Sequence, residues 1–148
     1  MIFLDIVTTV CIGLLIGTEF AVSVFINPIL QRLDTGTRMK AISLFAKRLG
    51  SAMPFWYALN FLLLITEAVL HRHTDDVSLL TAASALWLAV IVLTMIFLVP
   101  INNRMIRLDG SSAADSSLRE HRTWDMLHRG RVAVLAASMV CFLLAVLR

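Results

Sequence analysis

Long apolar stretches dominate the chain, and most of its charged residues lie in the segments between them. Residues 6–31 hold one charged side chain, Glu19, residues 49–70 hold one, Glu67, and residues 77–103 and 132–147 hold none. A helix of about 20 apolar residues is long enough to cross a bilayer. The pattern therefore predicts four membrane-spanning helices, at residues 3–28, 51–70, 79–100 and 129–147.

The first connecting segment has a helical pattern of its own. Thr37 is a plausible N-cap, Gly50 a plausible end, and between them apolar residues recur at helical spacing among basic ones. This pattern predicts a helix lying in the membrane interface, and a solvated basic loop is the alternative. The apolar positions are Met39, Ile42, Phe45 and Leu49.

The third connecting segment is turn-rich at Gly110–Ser117, and Ser117 and Glu120 have the spacing of a capping box. A helix from near Leu118 to near Leu147 would be about 45 Å long, which exceeds a hydrocarbon core of about 30 Å. Within span 3, Pro100 predicts a kink or an end. The fold class expected is all-α: an integral membrane four-helix bundle with an interfacial helix in the first loop, in a single domain over residues 1–148.

Composition and charge agree with this membrane assignment. The chain is 59% apolar and 16% charged, which excludes disorder and argues against a soluble domain. The first loop carries five Lys and Arg, the second one, the third six, and the C-terminus one. Basic loops stay in the cytoplasm, so we expect loops 1 and 3 inside, both termini outside, and an inner-membrane location. The net charge of +3 thus reflects topology, and nothing in it indicates nucleic acid.

Small residues repeat along two of the predicted spans. Such stripes let helices approach closely, either within the bundle or between copies of the chain in a homo-oligomer. Cysteines occur only within spans 1 and 4, without metal-type spacing. The stripes are Gly13, Gly17 and Ala21, and Ala133, Ala137, Cys141 and Ala145; the other cysteine is Cys11.

Glu19 is the first candidate functional residue, because a carboxylate within a membrane span is unfavourable unless it is paired or protonated. Counting back along span 4 from Arg148 places Arg131 about 25 Å down the helix, within reach of Glu19 if spans 1 and 4 are neighbours. The pair is either part of a functional site or a structural ion pair.

Further polar residues are expected at the same depth, where they would line a pocket open to the cytoplasmic leaflet. Ordinary hydrogen bonding between helices is the alternative role for them. His128 is the sharpest of these, since an imidazole suits proton transfer near neutral pH. The set is Asn27, Tyr57, Asn60, Asn102, Asn103, Trp124 and His128.

Two groups of side chains have metal-ligand chemistry, but simpler roles are preferred for both. His121, Asp125 and His128 share one helix face, with His121 expected to be solvated. A second group surrounds the predicted turn after span 2, where a solvated turn is the preferred interpretation, and no metal site is predicted. That second group is Glu67, His71, His73, Asp75 and Asp76.

The order of several motifs resembles a family of small four-span membrane proteins related to anthrone oxygenases. The motifs are Asn27-Pro28 followed by Leu30, the segment Val99-Pro100-Ile101-Asn102-Asn103-Arg104, and Trp124, His128 and Arg131 entering span 4. The resemblance implies oxidation of lipophilic polycyclic phenols of the anthrone type by molecular oxygen, without a cofactor or metal.

By this resemblance, three residues would carry the chemistry. His128 would be the base that removes a proton from an acidic methylene, Arg131 would stabilise the resulting enolate, and Asn102 would orient it. Two alternatives of other classes remain open: a non-catalytic accessory or scaffold protein of the membrane, and a binder of a small ligand, metal or haem.

Overall fold

A computed structural model describes residues 2–107 and 114–147 of the chain, and for residues 105–107 and 114–118 it describes the backbone only. Every element of the described chain is helical. The elements are α1 (Ile2–Ala21), a π-helical turn (Val22–Ile26), α2 (Asn27–Gln31), α3 (Thr35–Leu70), α4 (Val77–Leu93), a second π-helical turn (Thr94–Leu98), α5 (Val99–Arg107) and α6 (Ala114–Val146).

Four stretches are long and apolar enough to cross a membrane, which confirms the predicted four-span bundle. They are Ile2–Gln31, Thr35–Leu70, Val77–Arg104 and Arg119–Val146. Each begins before its predicted start, and the first and third also end later, because helical hydrogen bonding continues into polar turns that no hydropathy signal marks. The length and composition of these helices indicate a membrane protein. Which side of the membrane each loop faces stays a prediction.

The first connecting segment differs from the prediction of a separate interfacial helix. Asp34 is the N-cap, since its carboxylate accepts a hydrogen bond from the Thr37 backbone N–H at 3.0 Å, and hydrogen bonding from Thr37 lowers the pKa of this exposed carboxyl. From Thr35 the helix α3 continues without interruption to Leu70 and passes through Gly50. The assignments of Thr37 as cap and Gly50 as end were therefore wrong.

Packing against the bundle explains why this segment belongs to α3. Ile42 is buried in a small apolar cluster with Leu30 of α2 and Ile101 of α5. Gly50 lies so close to α5 that a Cβ on it would be 3.2 Å from the Asn102 Nδ2 atom. A surface helix in the membrane interface would have neither contact, so the segment is part of the second span.

The start of α6 also differs from the prediction. The helix includes Ala114, so Ser117 lies inside it and does not act as the N-cap. The turn-rich residues 110–113 lie outside the described residues. With 33 residues, α6 is about 50 Å long, so the expectation of a helix longer than the hydrocarbon core holds.

Two π-helical turns interrupt spans 1 and 3 in the same way. In each, a backbone N–H donates five residues back, from Asn27 to the Val22 carbonyl and from Val99 to the Thr94 carbonyl. A proline follows each turn by two residues, at Pro28 and at Pro100. Span 3 does not end at this proline, since α5 continues through it to Arg107. Such turns are rare in proteins, and those that occur are often found at functional sites.

The main core joins all four spans. Trp87 of α4 is fully buried and donates its indole N–H to the Tyr57 carbonyl at 3.1 Å, and Ser138 of α6 donates to the Ala83 carbonyl at 2.8 Å. Along the first small-residue stripe, a Cβ on Gly13 would be 3.8 Å from Met139 Cε of α6. This stripe therefore contributes to packing within the chain at Gly13, and the homo-oligomer stays a prediction.

Candidate functional site

Glu19 is the centre of a buried polar cluster. It lies three residues before the first π turn and is 2% exposed. Its Oε2 is 2.6 Å from Arg131 Nη2 and 3.2 Å from His128 Nδ1, and its Oε1 accepts a hydrogen bond from the Tyr57 hydroxyl at 2.8 Å. Spans 1 and 4 are neighbours, as the pairing required, and span 2 adds Tyr57. We call Glu19, Tyr57, His128 and Arg131 the polar quartet.

Both ring nitrogens of His128 have partners. Nε2 is 3.0 Å from the backbone carbonyl of Glu19, which can only accept, so this nitrogen carries a proton. In the neutral ring the lone pair is then on Nδ1, which is 2.8 Å from Arg131 Nη2. His128 also stacks on Trp124, with ring centroids 4.7 Å apart and planes within 10°. The imidazole is thus fixed in place and in tautomer.

Arg131 retains hydrogen-bonding capacity beyond its ion pair. Its Nη1 makes one long contact, 3.4 Å, to the Thr94 hydroxyl at the second π turn, and its Nε is buried without a hydrogen-bond partner. The guanidinium carbon is 5.6 Å from the centroid of the Tyr57 ring. Glu19 therefore occupies only Nη2 of the guanidinium, and Nη1, whose one contact is long, can donate to a further acceptor.

A cavity of about 450 Å³ adjoins the polar quartet. Its walls are mostly apolar and come from all four spans. Three of its lining residues, Phe45, Pro54 and Met95, are exposed, so the cavity reaches the side of the bundle at α3 and the second π turn. The predicted site residues that line it are Glu19, Asn27, Tyr57, Asn102, Trp124, His128 and Arg131.

Two predicted pocket residues do not line this cavity. Asn60 is fully buried, and its Nδ2 donates to the Trp56 carbonyl at 2.9 Å. Asn103 is exposed. Asn102, by contrast, lines the cavity with its amide Nδ2 at a long 3.5 Å from the Ala46 carbonyl, a contact weak enough to be exchanged for a ligand.

His121 is a functional candidate that the sequence analysis undervalued. It was expected to be solvated, but it is 6% exposed and lines the cavity, and neither of its ring nitrogens has a hydrogen-bond partner. Its ring is parallel to that of Trp124 within 9°, at 6.2 Å. The sequence signal was its spacing of seven residues from His128, which places both on one face of α6.

Neither group of side chains with metal-ligand chemistry comes together as a whole in the described part of the chain. Asp125 accepts a hydrogen bond from Asn27 Nδ2 at 2.6 Å and pairs with Arg129 at 3.0 Å, and it does not form a ligand cluster with the nearby histidines in the described residues. At the turn after span 2, Glu67 and His71 approach Asp5 of α1, which the sequence analysis did not include. The exposed members of that predicted group are His73 and Asp75.

The fold and the site together define a four-span helical membrane protein with a buried polar quartet beside an apolar, laterally open cavity. The family model described as anthrone oxygenase matches residues 42–141, about two thirds of the chain, and the chain belongs to this family. The match includes Asn102, His128 and Arg131, whereas Glu19 and Asn27 precede it. No curated protein and no solved structure matches the chain. Family membership supports an oxygenase-like role.

Proposed function

We propose that this protein is a membrane oxygenase that oxidises a lipophilic aromatic substrate of the anthrone or quinol type with molecular oxygen. The observation that carries the proposal is the polar quartet at one side of an otherwise apolar cavity of about 450 Å³. This volume is within the range of roughly 300–1,000 Å³ that small-molecule sites occupy. The lateral opening at Phe45 and Met95 would admit a substrate directly from the bilayer.

Arg131 would bind the carbonyl oxygen of the substrate. Nη1 of its guanidinium has only the long contact to Thr94 and would donate to an enolate oxygen, which accumulates charge as the reaction proceeds. If the guanidinium shifts toward this oxygen, Nη2 gives up its 2.8 Å contact with Nδ1 of His128. The lone pair needed for proton abstraction then becomes available.

His128 would act as the base on an acidic methylene of the substrate. The proton goes to Nδ1, and the resulting imidazolium is stabilised by Glu19 Oε2 at 3.2 Å and by the Glu19 carbonyl at Nε2. The enolate transfers an electron to O2, a C–O bond forms, and the peroxide takes a proton. Loss of the second C–H proton and cleavage of the O–O bond release water. The methylene becomes a ketone, and O2 is the only oxidant.

Asn102 and His121 would bind polar groups at the other side of the substrate. His121 lies seven residues from His128 on α6, about 10 Å along the helix. Because His121 is buried without partners and Asn102 is weakly held, a substrate hydroxyl between them would satisfy both. The preferred substrate is thus a flat molecule with oxygen atoms at two separated positions.

A non-catalytic membrane module is the second candidate. The observation that favours it is that the quartet satisfies its own hydrogen bonds. Glu19 accepts from both Tyr57 and Arg131 and needs no ligand to be stable in its buried position. This candidate predicts that loss of His128 reduces the amount of folded protein and removes no measurable turnover.

Turnover by the purified full chain in lipid nanodiscs tests the proposal. We expect conversion of anthrone to anthraquinone with one O2 consumed per product, faster than in empty nanodiscs. His128→Gln should lower turnover by about 100-fold or more. The control is His73→Gln, which changes an exposed histidine remote from the cavity and should leave turnover intact. Wild-type turnover equal to that of empty nanodiscs would overturn the proposal, and a folded, fully active His128→Gln variant would remove the assigned base.

A further inference from the structure

A second buried carboxylate lies at the end of the bundle where α3 meets α4, and within the described residues no Lys or Arg forms an ion pair with it. Glu67 is 0% exposed near the end of α3. Its Oε1 accepts a hydrogen bond from the Thr8 hydroxyl at 3.1 Å, and its Oε2 has no hydrogen-bond partner. An ionised carboxylate in such surroundings is strongly unfavourable unless a proton or a cation neutralises it.

The unpartnered oxygen of Glu67 is directed toward two further ligand-type side chains. One ligand atom each of Asp5, Glu67 and His71 lies within 4.8 Å of the others. Oδ1 of Asp5 is likewise buried without a hydrogen-bond partner. Nδ1 of His71 is 3.8 Å from Glu67 Oε2 and 3.0 Å from the Glu67 carbonyl, to which it donates its proton, so a metal ion bound through Nδ1 would replace this hydrogen bond, and Nε2 is the alternative ligand atom. In the described part of the chain no other group of three such side chains is this close.

We propose that Asp5, Glu67 and His71 bind a divalent transition-metal ion of the zinc type. Two carboxylate oxygens and one imidazole nitrogen are a common kind of ligand set for such an ion, which would keep one position for water. Calcium and magnesium are less suited, because they prefer ligand shells of oxygen alone. A charge of +2 also cancels the charges of both carboxylates, which a single proton does not.

The geometry needs only a small contraction to bind the ion. Tetrahedral zinc at roughly 2.0–2.1 Å from its ligands places them about 3.4 Å apart. The three ligand atoms, which now lie within 4.8 Å of one another, can therefore reach this spacing by side-chain movements of about 1 Å, without a change in the helices. Thr8 holds the other oxygen of Glu67 and so fixes the orientation of the ligand, as outer-shell partners do in metal sites.

The ion would join the first turn of α1 to the last turn of α3. Asp5 is in the first turn of α1, and His71 is the C-cap of α3. Glu67 is ten residues from Tyr57 on the same helix, about 15 Å away along its axis. The site is thus separate from the polar quartet and does not depend on the proposed oxygenase activity.

Zinc titration of the full chain in nanodiscs tests the inference. After removal of metal with a chelator, calorimetry should show one Zn²⁺ bound per chain, and Zn²⁺ should raise the temperature of thermal unfolding. Glu67→Gln keeps the shape and can still accept from Thr8, and it should weaken binding by at least about 10- to 100-fold, the effect seen for outer-shell partners alone. His71→Ala should do the same, whereas His73→Ala, in the adjacent exposed turn, should bind as the wild type does.

Three results would overturn the inference: no stoichiometric binding, undiminished binding by Glu67→Gln, or loss of binding in His73→Ala. If a variant fails to fold, X-ray absorption at the zinc edge of the wild-type complex decides instead. We expect one imidazole with oxygen ligands, and two imidazoles or a thiolate would contradict the assignment. Oxygenase turnover is unaffected by either outcome, so this inference and the proposed function fail separately.

Discussion

The two buried glutamates of this bundle are neutralised in different ways. Glu19 has an arginine at 2.6 Å and a histidine at 3.2 Å, both from α6. Glu67 has a hydroxyl hydrogen bond and, nearby, the second carboxylate of Asp5. Among the described residues the chain thus supplies a permanent counter-charge for Glu19, while Glu67 has only the imidazole of His71 at 3.8 Å and otherwise depends on a proton or an ion from outside. Equal burial therefore does not indicate an equal role.

The surroundings of the two glutamates differ in the same sense. Glu19 lines a cavity large enough for a small aromatic molecule, and its partner Arg131, which lines the same cavity, has a weakly engaged Nη1. Glu67 instead lies beside the polar side chains of Thr8, Asp5 and His71. The first environment suits an organic substrate whose charge changes during reaction, and the second suits a permanent cation.

The largest effect is expected where the internal pair is broken. Arg131→Gln and Glu19→Gln should each lower the free energy of unfolding by about 3–5 kcal/mol, because each leaves a buried charge without its partner. The double variant should cost much less than the sum of the two. A double-mutant cycle from denaturant unfolding in detergent measures this coupling, and additive losses would show that the 2.6 Å contact carries no energy.

A smaller loss is expected from the hydroxyl that holds Glu67. Thr8→Val keeps the shape of a fully buried side chain and removes the donor to Oε1, so it should lower the free energy of unfolding by about 1–2 kcal/mol. Thr18→Val is the matched control, since the Thr18 hydroxyl bonds only to the Leu14 carbonyl on an exposed part of the same helix. Equal effects of the two variants would argue that the Thr8 contact is unimportant.

Neutralising Glu67 should change the free energy of unfolding in the opposite direction from neutralising Glu19. In the presence of a metal chelator, Glu67→Gln should raise the free energy of unfolding by up to about 1 kcal/mol, because it removes a buried carboxylate that pairs with no Lys or Arg in the described part of the chain. Thermal unfolding beside Glu19→Gln in the same chelated buffer compares them directly. A loss for Glu67→Gln as large as that for Glu19→Gln would end the contrast between the two sites.

The smallest effect on stability is expected at the side of the cavity formed by α3 and α5. A Cβ on Gly50 would lie 3.2 Å from Asn102 Nδ2, so Gly50→Ala should displace this amide by a few tenths of an ångström. The higher helix propensity of alanine offsets the crowding, and the net change should be below about 0.5 kcal/mol. Turnover should fall, while Gly17→Ala, which meets no atom within 4 Å, should leave it unchanged.

The spans and the core of the site could be predicted from the sequence because both follow from local patterns. Uncharged runs mark the helices, and a single charge in such a run, Glu19, marks a buried group that needs a partner. Counting 1.5 Å per residue along span 4 placed Arg131 at the right depth, and a spacing of three residues added His128.

The errors arose where tertiary packing decides. Gly50 is a local stop signal for a helix, but α3 continues through it because Ile42 packs on α2 and α5 and stabilises the longer helix. Burial of His121 and the approach of Asp5 to Glu67 depend on contacts between distant segments, which one sequence does not reveal. Pro100 signalled an interruption of span 3, but not that the helix would widen and continue, and the matching turn before Pro28 in span 1 was not predicted.

The two widened turns have a geometric consequence for the cavity. A residue added to a helix advances the chain by about 100° around its axis, so the face presented to the interior after each turn is not the one that an uninterrupted helix would present. Asn27 and Asn102 both follow such a turn and both line the cavity. Deleting Val24 or Phe25, neither of which lines the cavity, would preserve every side chain of the binding surface and rotate Asn27 out of it. Which polar groups face the cavity therefore depends on the rotation of the helix after each π turn as well as on the identity of the side chains.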